Sequence, residues 1–276
     1  DRIDPSILLY GEGWTAARSP LDESLRAVKR AGPRLPRIAV FDDDLRDALR
    51  GGRGDSTEPG FVSGKSGLDR NVRFGVVGAT AHFQVGFDSS GDSPVAYGGH
   101  SAETINYVSC HDDLSLVDKL RASAPEGMTE EELVRFDKLA QTVVLTAQGI
   151  PSLFAGEEML RTKGGVSNSH DSPDRVNRID WSFKADHKDV FDYYRGLIAL
   201  RRTHPAFRLA TAAEIERHLR FLDTGDTHVV AYMLVDHAGD DPWREILVVY
   251  NGARAEKRAV SYTYLRAHET RRHLVC

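Results

Sequence analysis

Ile105-Asn106-Tyr107-Val108 leads directly into Ser109-Cys110-His111-Asp112-Asp113, a short and nearly continuous apolar run closed by a histidine and two carboxylates. Three other runs share this form. Ile7-Leu8-Leu9-Tyr10 precedes Gly11-Glu12-Gly13-Trp14, Ile38-Ala39-Val40-Phe41 precedes Asp42-Asp43-Asp44, and Ile150-Pro151-Ser152-Leu153-Phe154 precedes Ala155-Gly156-Glu157-Glu158. Apolar runs this short suit strands buried on both faces of a parallel sheet. In a parallel α/β barrel the side chains at the C-terminal strand ends converge on one mouth, where the active site lies. Carboxylates at all four strand ends suit acid–base chemistry on sugars better than capture of an anion.

Helical patterns lie between and after these runs, which points to α/β architecture. Thr129-Glu130-Glu131-Glu132 spells a capping box; Leu133, Phe136, Leu139, Val143 and Val144 continue the helix, and Gly149 stops it. A second helix runs from about Val190 through Tyr194, Leu197 and Ile198 to His204-Pro205. After about Phe207 the pattern turns to β, at residues 219–222, 227–233, 246–250 and 262–265. Turn signals at Gly225-Asp226, Gly239-Asp240-Asp241-Pro242 and Asn251-Gly252 separate these segments. The expected division is an α/β unit over 1–206 and a small all-β unit over 207–276, with loops at 51–60 and 88–99.

The chain has 276 residues, 41% hydrophobic and 28% charged, enough to bury a sizeable core without disulfide staples. Lys and Arg total 36 against 41 for Asp and Glu, a net charge of -5, which argues against a dedicated nucleic-acid binder. No apolar run approaches the roughly 20 residues that cross a bilayer. Cys110 and Cys276 are the two cysteines, which excludes a disulfide framework and leaves the compartment open. Asp1-Arg2-Ile3-Asp4-Pro5 carries neither an initiator Met nor a signal peptide, so the chain reads as begun partway through a longer protein and its localisation is unassigned. HExxH, paired CxxC and a glycine-rich phosphate loop are all missing, so neither metal ligands nor a cofactor are assigned; the sequence does not decide calcium dependence.

Each polar residue also has a local explanation. Glu12 between glycines suits a solvated turn. Asp112 or Asp113 suits a cap for a helix beginning near Leu114, and His111 a packed imidazole bonded to backbone. Asp42 to Asp44 read as a solvated face paired with Arg46, and Glu157 and Glu158 as partners of Arg161 one turn on.

At these same residues the chain resembles the type I pullulanases, debranching enzymes of the α-amylase clan (glycoside hydrolase family 13). The resemblance runs from about Leu9 to Arg208. Tyr10-Gly11-Glu12-Gly13-Trp14 looks like the segment after barrel strand five that carries the general acid. Phe41-Asp42-Asp43-Asp44-Leu45-Arg46-Asp47-Ala48 looks like the strand-six segment, with Asp42 where Asn is usual. Tyr107-Val108-Ser109-Cys110-His111-Asp112-Asp113 is similar to the strand-seven signature, with Asp113 replacing the usual Asn. Gln148-Gly149-Ile150-Pro151 through Gly156-Glu157-Glu158 and Arg161-Thr162-Lys163 matches the strand-eight region. Asn168-Ser169-His170-Asp171-Ser172-Pro173-Asp174, Asn177 and Asp180-Trp181 resemble a stretch associated with pullulanases in particular, and this favours α-1,6 over α-1,4 cleavage.

The resemblance implies the second half of a (β/α)8 barrel, strands five to eight, followed by part of a C-terminal β domain. It implies a retaining glycosidase acting on an α-glucan: Glu12 as general acid, Asp112 gripping the distorted sugar, and His111 donating a hydrogen bond to the same ring. Asp113, Asp171 and Asp174 would add substrate contacts. Trp14 and Tyr107 offer faces for sugar packing or serve as ordinary core aromatics; the residues leave both open. The family's nucleophile, an Asp after strand four, has no counterpart in the short stretch before Glu12. Arg220-Phe221-Leu222-Asp223 looks similar but falls in the β region and is rejected. The expected partner is therefore the missing N-terminal half of the barrel, without which the chain is expected to be inactive. The alternatives are an isoamylase-like or α-1,4-acting relative, and a noncatalytic α-glucan-binding remnant.

Overall fold

The structure is a computed structural model that describes residues 4, 7–15, 18–86, 96–257 and 273–275. Its first sheet holds β1 (Leu9–Gly11), β2 (Ile38–Phe41), β3 (Thr104–Asn106) and β4 (Ile150–Pro151), all parallel and in chain order. Parallel neighbours need long crossovers, and helices supply them. α1 (Asp43–Arg50) and α2 (Asp69–Val76) join β2 to β3, and α3 (Leu116–Ala122) and α4 (Glu130–Thr146) join β3 to β4. Two 3-10 segments fill the β1–β2 connection. After β4 come α5 (Asp174–Asn177), α6 (Phe183–Asp186), α7 (Lys188–Thr203) and α8 (Ala212–His218). The second sheet follows: β5 (Leu219–Leu222), β6 (Val229–Leu234) and β7 (Ile246–Asn251) pair antiparallel in turn, and β8 (His273–Val275) lies parallel to β7. The expected strand at 262–265, most of the loop at 88–99 and Cys276 lie outside the described residues.

The long helix forms where its sequence signals place it. The Thr129 hydroxyl accepts from the Glu132 amide at 3.2 Å, and the Glu132 carboxylate accepts from the Thr129 amide at 3.1 Å. At the far end Arg201, buried on α7, donates to the carbonyls of Leu145, Ala147 and Gly149 and so satisfies groups the helix leaves open. Gly149 then adopts a φ of 107°, and a Cβ there would stand 3.0 Å from the Asn106 amide nitrogen, so glycine lets β4 start close against β3.

One expectation fails at the sheet edge. Ile7, Leu8, Leu9 and Tyr10 are not buried on both faces; they are 50, 44, 49 and 63% exposed. The cause is position: among the described residues β1 pairs with β2 alone, and no strand pairs with its other side. Most of the buried apolar side chains form one core from Val40 through Leu49, Phe136 and Tyr194 to Tyr232 and Tyr250, continuous across both sheets. The two sheets are also stitched by polar groups. Tyr232 donates to the Thr146 carbonyl at 2.9 Å, Tyr250 and Thr146 share a 2.5 Å hydroxyl contact, and the Gln148 side chain bonds Ala206 and Leu209. No helix among the described residues is long and apolar enough to cross a membrane.

Candidate active site

Glu12 follows the last residue of β1, and His111 and Asp112 lie beyond β3, so three groups from two strands meet across the end of β2. One carboxylate oxygen or ring nitrogen from each lies within 4.8 Å of the other two, and the His111 Nε2 is 3.5 Å from the Asp112 carboxylate. Both His111 and Asp112 reach solvent, at 75 and 40% side-chain exposure, so the histidine is not a packed core residue. The cluster is compact enough to hold a cation as well as a sugar, since it combines two carboxylates with an imidazole. Gly13, at φ 80°, makes the turn possible: a Cβ would sit 3.0 Å from the Val40 side chain on the neighbouring strand.

Trp14, Tyr107, Cys110, Asp113 and Arg53 line the same cleft as Glu12. Trp14 is half-buried, with the Lys29 ammonium 5.8 Å from its ring centre. Tyr107 is only 1% exposed, its ring edge-on to Phe41 and its hydroxyl fixed between Asp43 at 2.5 Å and Arg46 at 2.6 Å. It is a floor to the cleft rather than an open face. Asp113 takes left-handed backbone, φ 59°, and its carboxylate lies 3.2 Å from Arg53 and 4.0 Å from the buried Arg50. Neither Asp112 nor Asp113 caps α3; Ser115 does, 3.4 Å from the Asp118 amide. Asp171 and Asp174 are exposed on a 3-10 turn and on α5, and neither lines the cleft beside Glu12. Their stretch is organised instead by Asn177, whose amide bonds Ser169 twice and Ser172 once.

Two electrostatic expectations are corrected. Asp42 and Asp44 are not a solvated face: they are 0 and 7% exposed, while Asp43 pairs with Arg46 at 3.2 Å and also meets Lys29. β2 ends just before Asp42, which turns inward and caps α1 through the Leu45 amide at 2.9 Å. Burial first, then the nearby Asp44, raises its carboxyl to about 7. A protonated Asp42 offers one donor and one acceptor oxygen, much as the amide of an Asn would. Glu157 does not pair with Arg161 either. Arg161 bonds the Ala155 and Asn177 carbonyls and lies over Phe154, whereas Glu157 is buried with Ser109, Gln141 and the Phe154 amide. Burial lifts Glu157 to about 8, and it lifts Asp137, which accepts from Tyr194 at 2.8 Å, to about 7.

These buried acids fix the sign of a pH effect. Their folded values exceed the unfolded ones, so the stability they contribute is complete below about pH 4 and is lost as pH rises through 7 to 8. The melting temperature should therefore fall by at least about 3 °C between pH 5 and 8, and Asp137→Asn should flatten that slope. A rising or unchanged slope in thermal melts would show that these carboxyls titrate normally.

Residues 215–261 match the family model described as the pullulanase all-beta domain. The pullulanase of Bacillus subtilis strain 168 is 36% identical over 252 residues, covering 91% of this chain and 33% of that protein. Among solved structures, a pullulanase from Paenibacillus barengoltzii in complex with maltohexaose and α-cyclodextrin is 44% identical with a TM-score of 0.83, covering 91% of this chain and 37% of that one. The pullulanase of Bacillus acidopullulyticus is 42% identical with a TM-score of 0.82, covering 91% and 29%. The chain thus spans about a third of the length of the relatives it matches. Over that span, with the all-β match in agreement, the chain is a pullulanase-type segment, similar to part of these longer proteins.

Proposed function

We propose that this chain supplies the acid-bearing half of a (β/α)8 barrel, strands five to eight over residues 1–206 with a β domain over 207–276, in an enzyme that cleaves α-1,6 linkages of branched α-glucans. The observation that carries the reading is the meeting of Glu12 with His111 and Asp112 at the C-terminal ends of parallel strands. Glu12 protonates the departing glycosidic oxygen and then takes a proton from the incoming water. Asp112 holds hydroxyls of the distorted ring, and His111 donates to the same sugar. The nucleophile comes from a segment that precedes this one in the relatives, and the open side of β1 is where that segment pairs. The maltohexaose complex of the Paenibacillus relative supports a glucan ligand.

Glu12 and Asp112 are themselves within 4.8 Å, near the roughly 5 Å spacing of retaining carboxylate pairs, so an attacking Asp112 is the physical rival to this assignment. A debranching relative of isoamylase type is the second reading, since the Flavobacterium isoamylase is 28% identical over 129 residues. One experiment separates these. The chain is assayed for reducing ends on pullulan, glycogen and linear amylose, alone and co-expressed with the part of the Bacillus subtilis pullulanase that precedes the matched region. Pullulan cleavage only in the complemented pair supports the proposal. Hydrolysis by the chain alone makes Asp112 the nucleophile; glycogen cleavage without pullulan cleavage favours the isoamylase reading, and amylose cleavage rejects debranching.

A further inference from the structure

The turn that carries His111 and Asp112 lies outside every strand and helix, so no ladder of backbone bonds holds its shape. Apart from the ion pairs of Asp113 with Arg53 and Arg50, its side-chain hydrogen bonds to other parts of the chain, among the described residues, come from the segment after β4. The Ser109 hydroxyl bonds the Glu157 carboxyl, the His111 carbonyl accepts from the Lys163 ammonium at 3.2 Å, and the Asp113 amide donates to Asn168 Oδ1 at 3.1 Å. The three held residues alternate along the turn, and residues 110 to 113 all line the cleft. Two of the three contacts grip backbone atoms and the third a short hydroxyl, so together they fix the path of the chain without engaging the imidazole or the Asp112 carboxylate, which meet each other. We propose that the segment following β4 is a three-point clamp that positions the His111–Asp112 turn, with Glu157, Lys163 and Asn168 as its positioning residues; this rests on the reading of His111 and Asp112 as sugar-binding groups.

The clamp is anchored more firmly than the turn it holds. Glu157 is 3% exposed and accepts from Gln141 on α4 at 3.0 Å and from the Phe154 amide at 3.1 Å, in addition to bonding Ser109. Lys163 is buried; its own amide donates to Asp118 of α3 at 2.7 Å, and the same carboxylate takes the Thr162 hydroxyl. The charged groups acting on Glu157 are Asp137 on α4, which raises its carboxyl, and Arg50 on α1, which lowers it; burial outweighs both. Glu157 is therefore chiefly a neutral acid at physiological pH, with its proton on the oxygen facing Ser109, whose hydroxyl then accepts; a glutamine with its nitrogen at that position can replace it. A positioning error near 1 Å costs up to about a hundredfold in rate, so even a partial release of the turn should be visible in turnover.

Two measurements test the clamp. In the complemented enzyme, Glu157→Ala and Lys163→Met should lower kcat by about tenfold or more while changing KM by less than about twofold, because the misplaced contacts act chiefly in the transition state. Glu157→Gln should restore kcat to within about threefold and remove the fall in activity above pH 8. The exposed Asn168→Ala keeps the test open if the buried variants fail to fold, and should cost about threefold in kcat. The second readout needs no activity: labelling of Cys110 by a maleimide, followed by mass spectrometry of its peptide. The Cys110 thiol is partly buried and its pKa is raised by that burial, so it reacts slowly in the parent. Its rate should rise about tenfold in Glu157→Ala and Lys163→Met and stay at the parent value in Glu157→Gln. Unchanged labelling in folded variants overturns the clamp. Faster labelling with unchanged turnover keeps the clamp and overturns the role of the turn in catalysis.

Discussion

Glu12→Gln lowers pullulan turnover by the complemented enzyme at least about a hundredfold, since the amide keeps the shape of the side chain and cannot deliver a proton to the leaving oxygen. The geometry leaves little room for a substitute donor. His111 is paired with Asp112 at 3.5 Å, and Tyr107 has its hydroxyl spent on Asp43 and Arg46 below the cleft. Cys110, also at the cleft, is pushed up by burial and its sulfur faces the Asp112 carbonyl. Glu12 sits on an edge turn and contributes little packing, so the variant should melt with the parent. Turnover within a few-fold of the parent at equal folded fraction would remove Glu12 from the mechanism.

Asp112→Asn is expected to depress kcat by a similar factor, about a hundredfold, and far more than Asp113→Asn. The two neighbours differ in what they face. Asp112 looks into the cleft beside His111 and Glu12, where an oxocarbenium-like centre gains from a full negative charge. Asp113 lines the same cleft, but its backbone is left-handed and its carboxylate is occupied by Arg53 and Arg50. Asn tolerates that backbone region well, so its substitution trades a partly exposed ion pair for a comfortable turn residue, with an effect of a few-fold at most. Kinetics of both variants on pullulan decide the matter. Equal losses would mean that the motif is out of register by one residue.

The short apolar runs that became β2, β3 and β4 and the capping box at Thr129 were legible because each rests on local pattern. The strand order and the grouping of Glu12 with His111 and Asp112 were expected only through the family resemblance. What escaped was burial of charge. Nothing in Asp42-Asp43-Asp44 says that the first and third carboxylates turn inward and the second outward; that depends on where β2 stops and on what covers α1. Glu157 likewise looked like a partner for Arg161 at helical spacing, but the segment after Gly156 is a 3-10 turn, which spaces side chains differently. The apolar edge at Ile7 to Tyr10 carries the same letters as a buried strand, and only the absence of a neighbouring strand among the described residues leaves it open. Short helices such as α5 and α6 have too few residues to show a period at all.

The sequence changes character near Phe207, yet Gln148 disregards that change: it is wholly buried in the first part of the chain, and its side chain bonds Ala206 and Leu209. Thr146 does the same toward Tyr232 and Tyr250. Pulling the second sheet away would strand these amide and hydroxyl groups in an apolar surface, each without its partner. A compositional boundary is here no boundary in free energy. Heating should therefore melt the two sheets in one cooperative transition, and a protease should find the junction near Phe207 no easier to cut than the middle of α7.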